Sequence, residues 1–137
     1  MKKALLLSIK PRFAEAIFEG TKVFELRKVR PRLACGDLVL VYVTSPRCQL
    51  EGAFDVVSVI ELPLEELWKV VENGCALTKG EFDDYFNGKT VGYAIGVGNA
   101  WVLETSRNLR FLRDEEIVPP QSYRYLSASQ AATLLGG

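Results

Sequence analysis

The chain has 137 residues, 48% of them apolar, and a formal net charge of zero. That length suits one packed domain, and no apolar run approaches the ~18 residues of a membrane span. With no histidine anywhere, Ser-His-Asp and Cys-His catalysis and a His-ligated metal are excluded.

Cys35, Cys48 and Cys75 are odd in number and widely spaced. They suit neither a disulfide framework nor a zinc site, and read as free thiols of a reducing compartment. The opening Lys-Lys-Ala-Leu-Leu-Leu-Ser imitates a signal peptide. Its apolar run stops at Lys10-Pro11 without a cleavage site, which predicts a soluble, cytoplasmic protein. The neutral total hides an asymmetry: residues 1–36 hold nine Lys/Arg against three Glu, and the remainder eight against fourteen acidic residues. Segregated charge of this kind suits a basic face toward an anionic partner, unless folding intermixes the halves.

In chain order, residues 3–9 predict a short buried strand. Pro11 opens a helix with Phe13, Ile17 and Phe18 on its apolar face, and Gly20 stops it. Residues 22–29 predict a strand with Phe24 and Leu26 on one side and Val23, Glu25 and Arg27 on the other. After the turn "VRPRLACGD", residues 38–43 form a strongly apolar strand. "TSPRCQLEG" reads as a loop, and residues 53–62 as another strand.

A helix follows Pro63, with Leu64, Leu67, Trp68 and Val71 at helical spacing. Thr78 and Glu81 make a capping box for a second helix carrying Phe82, Tyr85 and Phe86. In residues 90–98, Val91, Tyr93, Ile95 and Val97 alternate with Gly92, Ala94, Gly96 and Gly98. The bare face this leaves permits close approach of a helix or a ligand. "WVLE" extends that strand, and residues 108–113 predict the last one. The tail "YLSASQAATLLGG" predicts a short capping helix, with Ser127 as its cap. It is similar to the opening helix of an excisionase-type helix-turn-helix, but the chain stops before a recognition helix.

Short, closely connected strands with helices at the ends predict an α+β fold around an antiparallel, strongly curved or closed sheet. Residues 1–126 form the predicted domain and residues 127–137 a helical tail.

At "KPRFAEAIFEGTKVFELRK" the chain resembles the ASCH domain family, a branch of the PUA-like β-barrels. The matching features are Lys10-Pro11, a helix ending at Gly20, and the spacing of Gly20, Lys22, Glu25 and Arg27. Gly36-Asp37 before an apolar strand to Tyr42, the Ser45-Pro46 turn, Gly52, the helix around Trp68 and the segment Phe82 to Phe86 extend the likeness. It spans roughly residues 3 to 126. The resemblance implies a small PUA-like barrel of mostly antiparallel strands with flanking helices and a cleft beside the first helix. It implies RNA-binding or transcription-coupled roles. Some members are nucleases, and others are amidohydrolases acting on acetylated cytidine.

The residues support a cleft independently. Glu25 and Arg27 share one face of a strand whose back is core, and Lys22 can swing toward Glu25. A guanidinium fork, a point cation and a carboxylate together suit a phosphate or a nucleobase edge. The competing reading is an exposed charge ladder that protects an edge strand. Lys10, Arg12, Lys28, Arg30 and Arg32 add phosphate-directed charge, Ser45 lies in the matching turn, and Tyr42 offers a stacking ring.

The amidohydrolase members use a Lys in the signature, a Thr three residues later and a Glu from a later helical segment. Lys22 matches the first, Glu25 replaces the Thr, and Glu72 is the nearest match to the last. A carboxylate beside Lys22 favours its ammonium form, a poor base or nucleophile. The expectation is therefore a binding protein for RNA, a nucleotide or a nucleoside, with no cofactor, metal or membrane partner. The alternatives are a ribonuclease or amidohydrolase using Lys22 and a carboxylate, and a non-catalytic partner-binding module.

Overall fold

The computed structural model describes residues 2–136. In chain order the elements are β1 (Ala4–Ile9), α1 (Pro11–Glu19), β2 (Phe24–Arg27), β3 (Leu38–Val43), β4 (Gln49–Pro63), α2 (Leu64–Val71), α3 (Lys79–Tyr85), β5 (Val91–Asn108), α4 (Leu109–Asp114), β6 (Tyr123–Leu126) and α5 (Ala128–Leu134). The strands form one six-stranded sheet in the order β2-β5-β4-β3-β1-β6. Every pairing is antiparallel except β1 with β3. The fold is α+β, as its sequence predicts. The sheet does not close by backbone hydrogen bonds, since β2 and β6 remain its two edges. They approach through side chains instead: an Arg27 guanidinium nitrogen donates to Ser122 Oγ, just ahead of β6.

Strands buried on both faces need apolar residues at almost every position, and β1 and β3 supply them except at Ser8. Leu5, Leu7, Ile9, Val39, Val41 and Val43 pack inward against Phe54, Ile95 and the α1 residues Ala14 and Ile17. Leu6, Leu40 and Tyr42 point to the other face, which α4 and α5 cover with Leu112, Ala131 and Leu134. A third cluster joins Leu26 and Ala94 to Leu67, Val71, Phe82 and Phe86 of the α2–α3 region.

The bare face of β5 is a packing device. A Cβ on Gly92 would sit 2.7 Å from the Phe86 ring and 2.8 Å from a Leu67 methyl. Gly52 on β4 is equally constrained: its Cβ would lie 2.6 Å from the Phe18 ring and closer still to the Trp101 carbonyl oxygen. A backbone oxygen cannot step aside as a side chain can. Gly52→Ala should therefore cost about 1–3 kcal/mol, read as a lower urea midpoint at unchanged slope.

Four elements differ from expectation. Strand β4 begins at Gln49, inside the segment predicted as a loop, because Gln49 and Leu50 pair with Val43 and Tyr42 of β3. Residues 109–114 are the helix α4, not a last strand. Asn108 caps it by accepting from the Phe111 N–H at 2.9 Å, and "NLRFLR" places Leu109 and Leu112 on one helical face as readily as it alternates. The last strand is instead the four-residue β6, too short to register as a pattern. The segment predicted as strand 22–29 pairs only over Phe24–Arg27. At its start the N–H groups of Val23 and Phe24 donate to the Gly74 carbonyl while the Val97 N–H still reaches the Val23 carbonyl, and at its end the chain bends away at residues 28–29. The predicted tail helix is present as α5, with Ser127 and Gln130 forming a capping box.

Candidate functional site

Helix α1 begins directly after β1, with Pro11 in its first turn. This places Lys10 and Arg12 at the mouth of a cleft of about 560 Å³ between the end of β1, β2 and the α3 segment. At the far end of α1, Gly20 adopts φ 89°. The N–H groups of Thr21 and Lys22 return to the Ala16 carbonyl, which turns the Lys22 side chain back under the helix. Strand β2 then delivers Glu25 and Arg27 to the same cavity, whose apolar lining includes Phe13, Leu26 and Tyr85.

The inner wall is a chain of charges. Lys22 is 2% exposed and Glu25 7%. Lys22 Nζ donates to the Cys75 carbonyl at 2.5 Å, lies 3.7 Å from Glu25 Oε1 and sits 4.8 Å from the Phe13 ring centre. Glu25 Oε2 accepts from Arg27 at 3.1 Å, and the other Arg27 nitrogen reaches Ser122. Among the described residues no buried side-chain polar atom lacks a partner.

Burial pulls the Lys22 pKa below that of an ordinary lysine, and attraction to Glu25 only partly restores it. The Glu25 carboxylate alone would favour the ammonium form. The structure adds the cost of removing an ammonium from water, and that cost prevails.

The outer wall is anchored by α3. Glu81 closes the Thr78 capping box and pairs with Arg12; the Thr78 N–H, together with Arg12, holds its carboxyl below the usual range. Arg12 also stacks 4.4 Å from the Phe13 ring centre. Tyr85 donates its hydroxyl to the Leu26 carbonyl at 3.1 Å, and its pKa is raised chiefly by burial.

The cleft thus brings together Lys10, Arg12, Lys22, Glu25 and Arg27. The other candidate residues fall outside its lining. Lys28 sits at the rim, 4.8 Å from the Tyr85 ring centre. Arg30 pairs with Glu61 at 2.6 Å, and Arg32 is exposed on the following turn. Tyr42 is 6% exposed and belongs to the outer core cluster, so it offers no face for stacking. Its pKa is pushed up to about 12 by burial and a hydrogen bond with Cys48. Ser45 is exposed in a turn with a cis Ser45-Pro46 bond, and Glu72 is exposed beyond α2.

Sequence reasoning missed Ser8, Glu81, Asp84 and Tyr85 as cleft residues, and Ser122 as the partner of Arg27. Only Glu81 carried a signal, since its capping box fixes which way the first turn of α3 faces. Ser122 carried none, because only the meeting of two sheet edges brings it there.

Chemically, the cleft pairs apolar walls with fixed donors and acceptors. Four cations and three carboxylates share this lining with the Phe13 and Tyr85 rings, so the cavity offers both charge-assisted hydrogen bonds and apolar contact.

A family model described as the ASCH domain matches residues 7–107. An ASCH domain-containing ribonuclease of Zymomonas mobilis subsp. mobilis is 23% identical over 141 residues, covering 98% of this chain and 91% of the relative. The crystal structure of ASCH from Zymomonas mobilis superposes with a TM-score of 0.92 at 25% identity, over 98% of this chain and 94% of that one. The N-terminal domain of Staphylothermus marinus McrB shares the fold alone. Its TM-score is 0.64 at 10% identity, over 99% of this chain and 94% of that chain.

Proposed function

Because the chain belongs to the ASCH domain family, we propose that it binds RNA or a nucleotide through the cleft around Lys22, Glu25 and Arg27. The observation that carries this reading is the inner wall. A guanidinium braced by a buried carboxylate and a serine faces a cavity of mixed charged and apolar lining, large enough for a nucleobase. Arg27 is held in one orientation before any ligand arrives, which lowers the cost of ordering it on binding. A relative named as a ribonuclease adds support for RNA as the ligand class.

Hydrolysis is the second reading, and one observation favours it. Burial makes Lys22 easier to deprotonate than an exposed lysine, which is how lysines become bases. Against it, Nζ is engaged with the Cys75 carbonyl, Glu25 and the Phe13 ring. Glu25 also stands where the acetylcytidine-acting members carry Thr, and Glu72 does not line the cleft.

Fluorescence anisotropy with labelled single-stranded RNA at two salt concentrations tests the first reading. Chromatography of RNA and of acetylated cytidine after incubation tests the second. The expected result is salt-dependent RNA binding with little or no deacetylation. Robust turnover abolished by Lys22→Ala would make the protein a hydrolase, and neither binding nor turnover would leave a partner-binding module.

A further inference from the structure

We propose that the ligand is a single-stranded oligonucleotide rather than a mononucleotide, and that its backbone leaves the cleft along residues 27–32 beside β6; this rests on the RNA-binding reading of the cleft.

The open side of the sheet is bridged by this segment. At one end Arg27 lines the cleft and bonds to Ser122. At the other, the Arg32 N–H donates to the Tyr125 hydroxyl at 2.9 Å, and Lys3 Nζ donates to the Arg32 carbonyl at 3.4 Å. Residues 27 to 32 therefore run alongside residues 122 to 125 and cover the gap between the two sheet edges. Pro31 is buried, and Lys28, Arg30 and Arg32 on either side of it are exposed. In "RPR" the proline plugs the gap and directs both arginines to solvent.

Most of this charge is uncommitted. Arg30 pairs with Glu61. Among the described residues, the side chains of Lys28 and Arg32 form no salt bridge. Lys28 instead lies over the ring of Tyr85, a cleft residue, so the basic row begins at the cavity mouth. An aromatic side chain completes it. Tyr125 is 40% exposed and braced edge-on by Tyr123, with ring centres 5.9 Å apart.

Exposed cations at intervals along a surface track, with a ring on which a base can stack, are what a single-stranded nucleic acid can follow out of the cleft. A mononucleotide held in the cleft would touch none of Arg32, Lys3 or Tyr125.

Two probes separate the cases: cytidine monophosphate and a labelled single-stranded RNA of about ten nucleotides, within the range such sites cover. The double variant Lys28→Ala/Arg32→Ala should weaken the oligomer about tenfold at low salt. It should also reduce the slope of log affinity against log salt by about 1.4, at about 0.7 per phosphate contact. Tyr125→Ala should cost fivefold or more on the oligomer, at roughly the worth of one stacked base. Tyr125→Ala and the single variant Arg32→Ala, both remote from the cleft lining, should leave affinity for the monophosphate unchanged. Equal losses from the exposed pair Lys69→Ala/Lys89→Ala would reduce the effect to diffuse attraction and overturn the path. Loss of oligomer binding in Arg27→Ala with full binding in both other variants would overturn the path while leaving the cleft intact. A wild-type protein that binds neither probe would overturn both readings.

Discussion

Arg27→Ala is expected to weaken single-stranded RNA binding by roughly tenfold to a hundredfold. A charge-assisted hydrogen bond to a ligand is worth about 1.5–3 kcal/mol, and the Arg27 fork is presented ready-made. One nitrogen is fixed by Glu25 at 3.1 Å and the other by Ser122. Its side chain is 15% exposed, so a phosphate meets a partly desolvated cation, where attraction exceeds that at the open surface. Lys2→Ala is the comparison, since an exposed terminal lysine adds only diffuse attraction. Arg27→Lys should also lose affinity, because a point charge cannot contact the carboxylate and the ligand in one plane. Anisotropy titrations on all three variants, with thermal melts to confirm folding, decide the matter. Equal losses from Arg27→Ala and Lys2→Ala would mean that no defined pocket exists.

The largest expected loss of stability lies away from the cleft, at Asp37. Its carboxylate accepts from the Lys3 N–H and from the Ala34 N–H, each at 2.8 Å. It follows Gly36, which adopts φ 93° in the left-handed region where a side chain would be strained. Together they lock the start of β1 to the start of β3, the one parallel pair in the sheet. Asp37→Ala removes two hydrogen bonds to a charged acceptor and should cost about 2–4 kcal/mol, less than twice the roughly 1.5–3 kcal/mol of one such bond because water can reach the part-buried N–H groups.

The pH dependence follows from the same bonds. Burial opposes ionisation of Asp37, but the two backbone donors together with the nearby positive charge of Lys3 and the N-terminus outweigh it and hold the pKa below its ordinary value of 3.8. Since the folded value lies below the unfolded one, this stabilisation is fully present above pH 3.8. It is lost as pH falls through the folded value. Urea midpoints of wild type and Asp37→Ala should differ clearly at neutral pH and converge in strong acid. A gap that persists unchanged at the lowest pH would mean the ionised carboxylate is not its source.

How much of this was legible in the sequence depends on the range of the forces involved. Helix α1 declared itself through Pro11, Gly20 and an apolar stripe, and α3 through its capping box, because those signals are complete within one or two turns of chain. The inward charges of β2 were legible as a pattern, since two charges at alternate positions must share a face. The net effect on Lys22 was not. It depends on the depth of burial, which Cys75, Phe13 and the rest of the fold create. Tyr42 misled for the opposite reason: an aromatic ring at a strand end carries no mark of which sheet face α4 and α5 will cover. The meeting of Arg27 with Ser122 was beyond reach, because the curvature of six strands sets it.

The strand order has a consequence for the growing chain. β1 lies between β3 and β6, and 112 positions separate Ser8 from Pro120, to which its hydroxyl donates at 2.6 Å. On the ribosome, β1 can find β3 early, but its second edge stays bare until the residues of β6 emerge. Throughout that interval an apolar "LLL" strand offers open N–H and C=O groups to any neighbouring nascent chain. Leu6 likewise waits for α5 to cover it. Polypeptides released before β6 should therefore be the aggregation-prone species, and ribosome-associated chaperones should engage this protein until β6 has emerged.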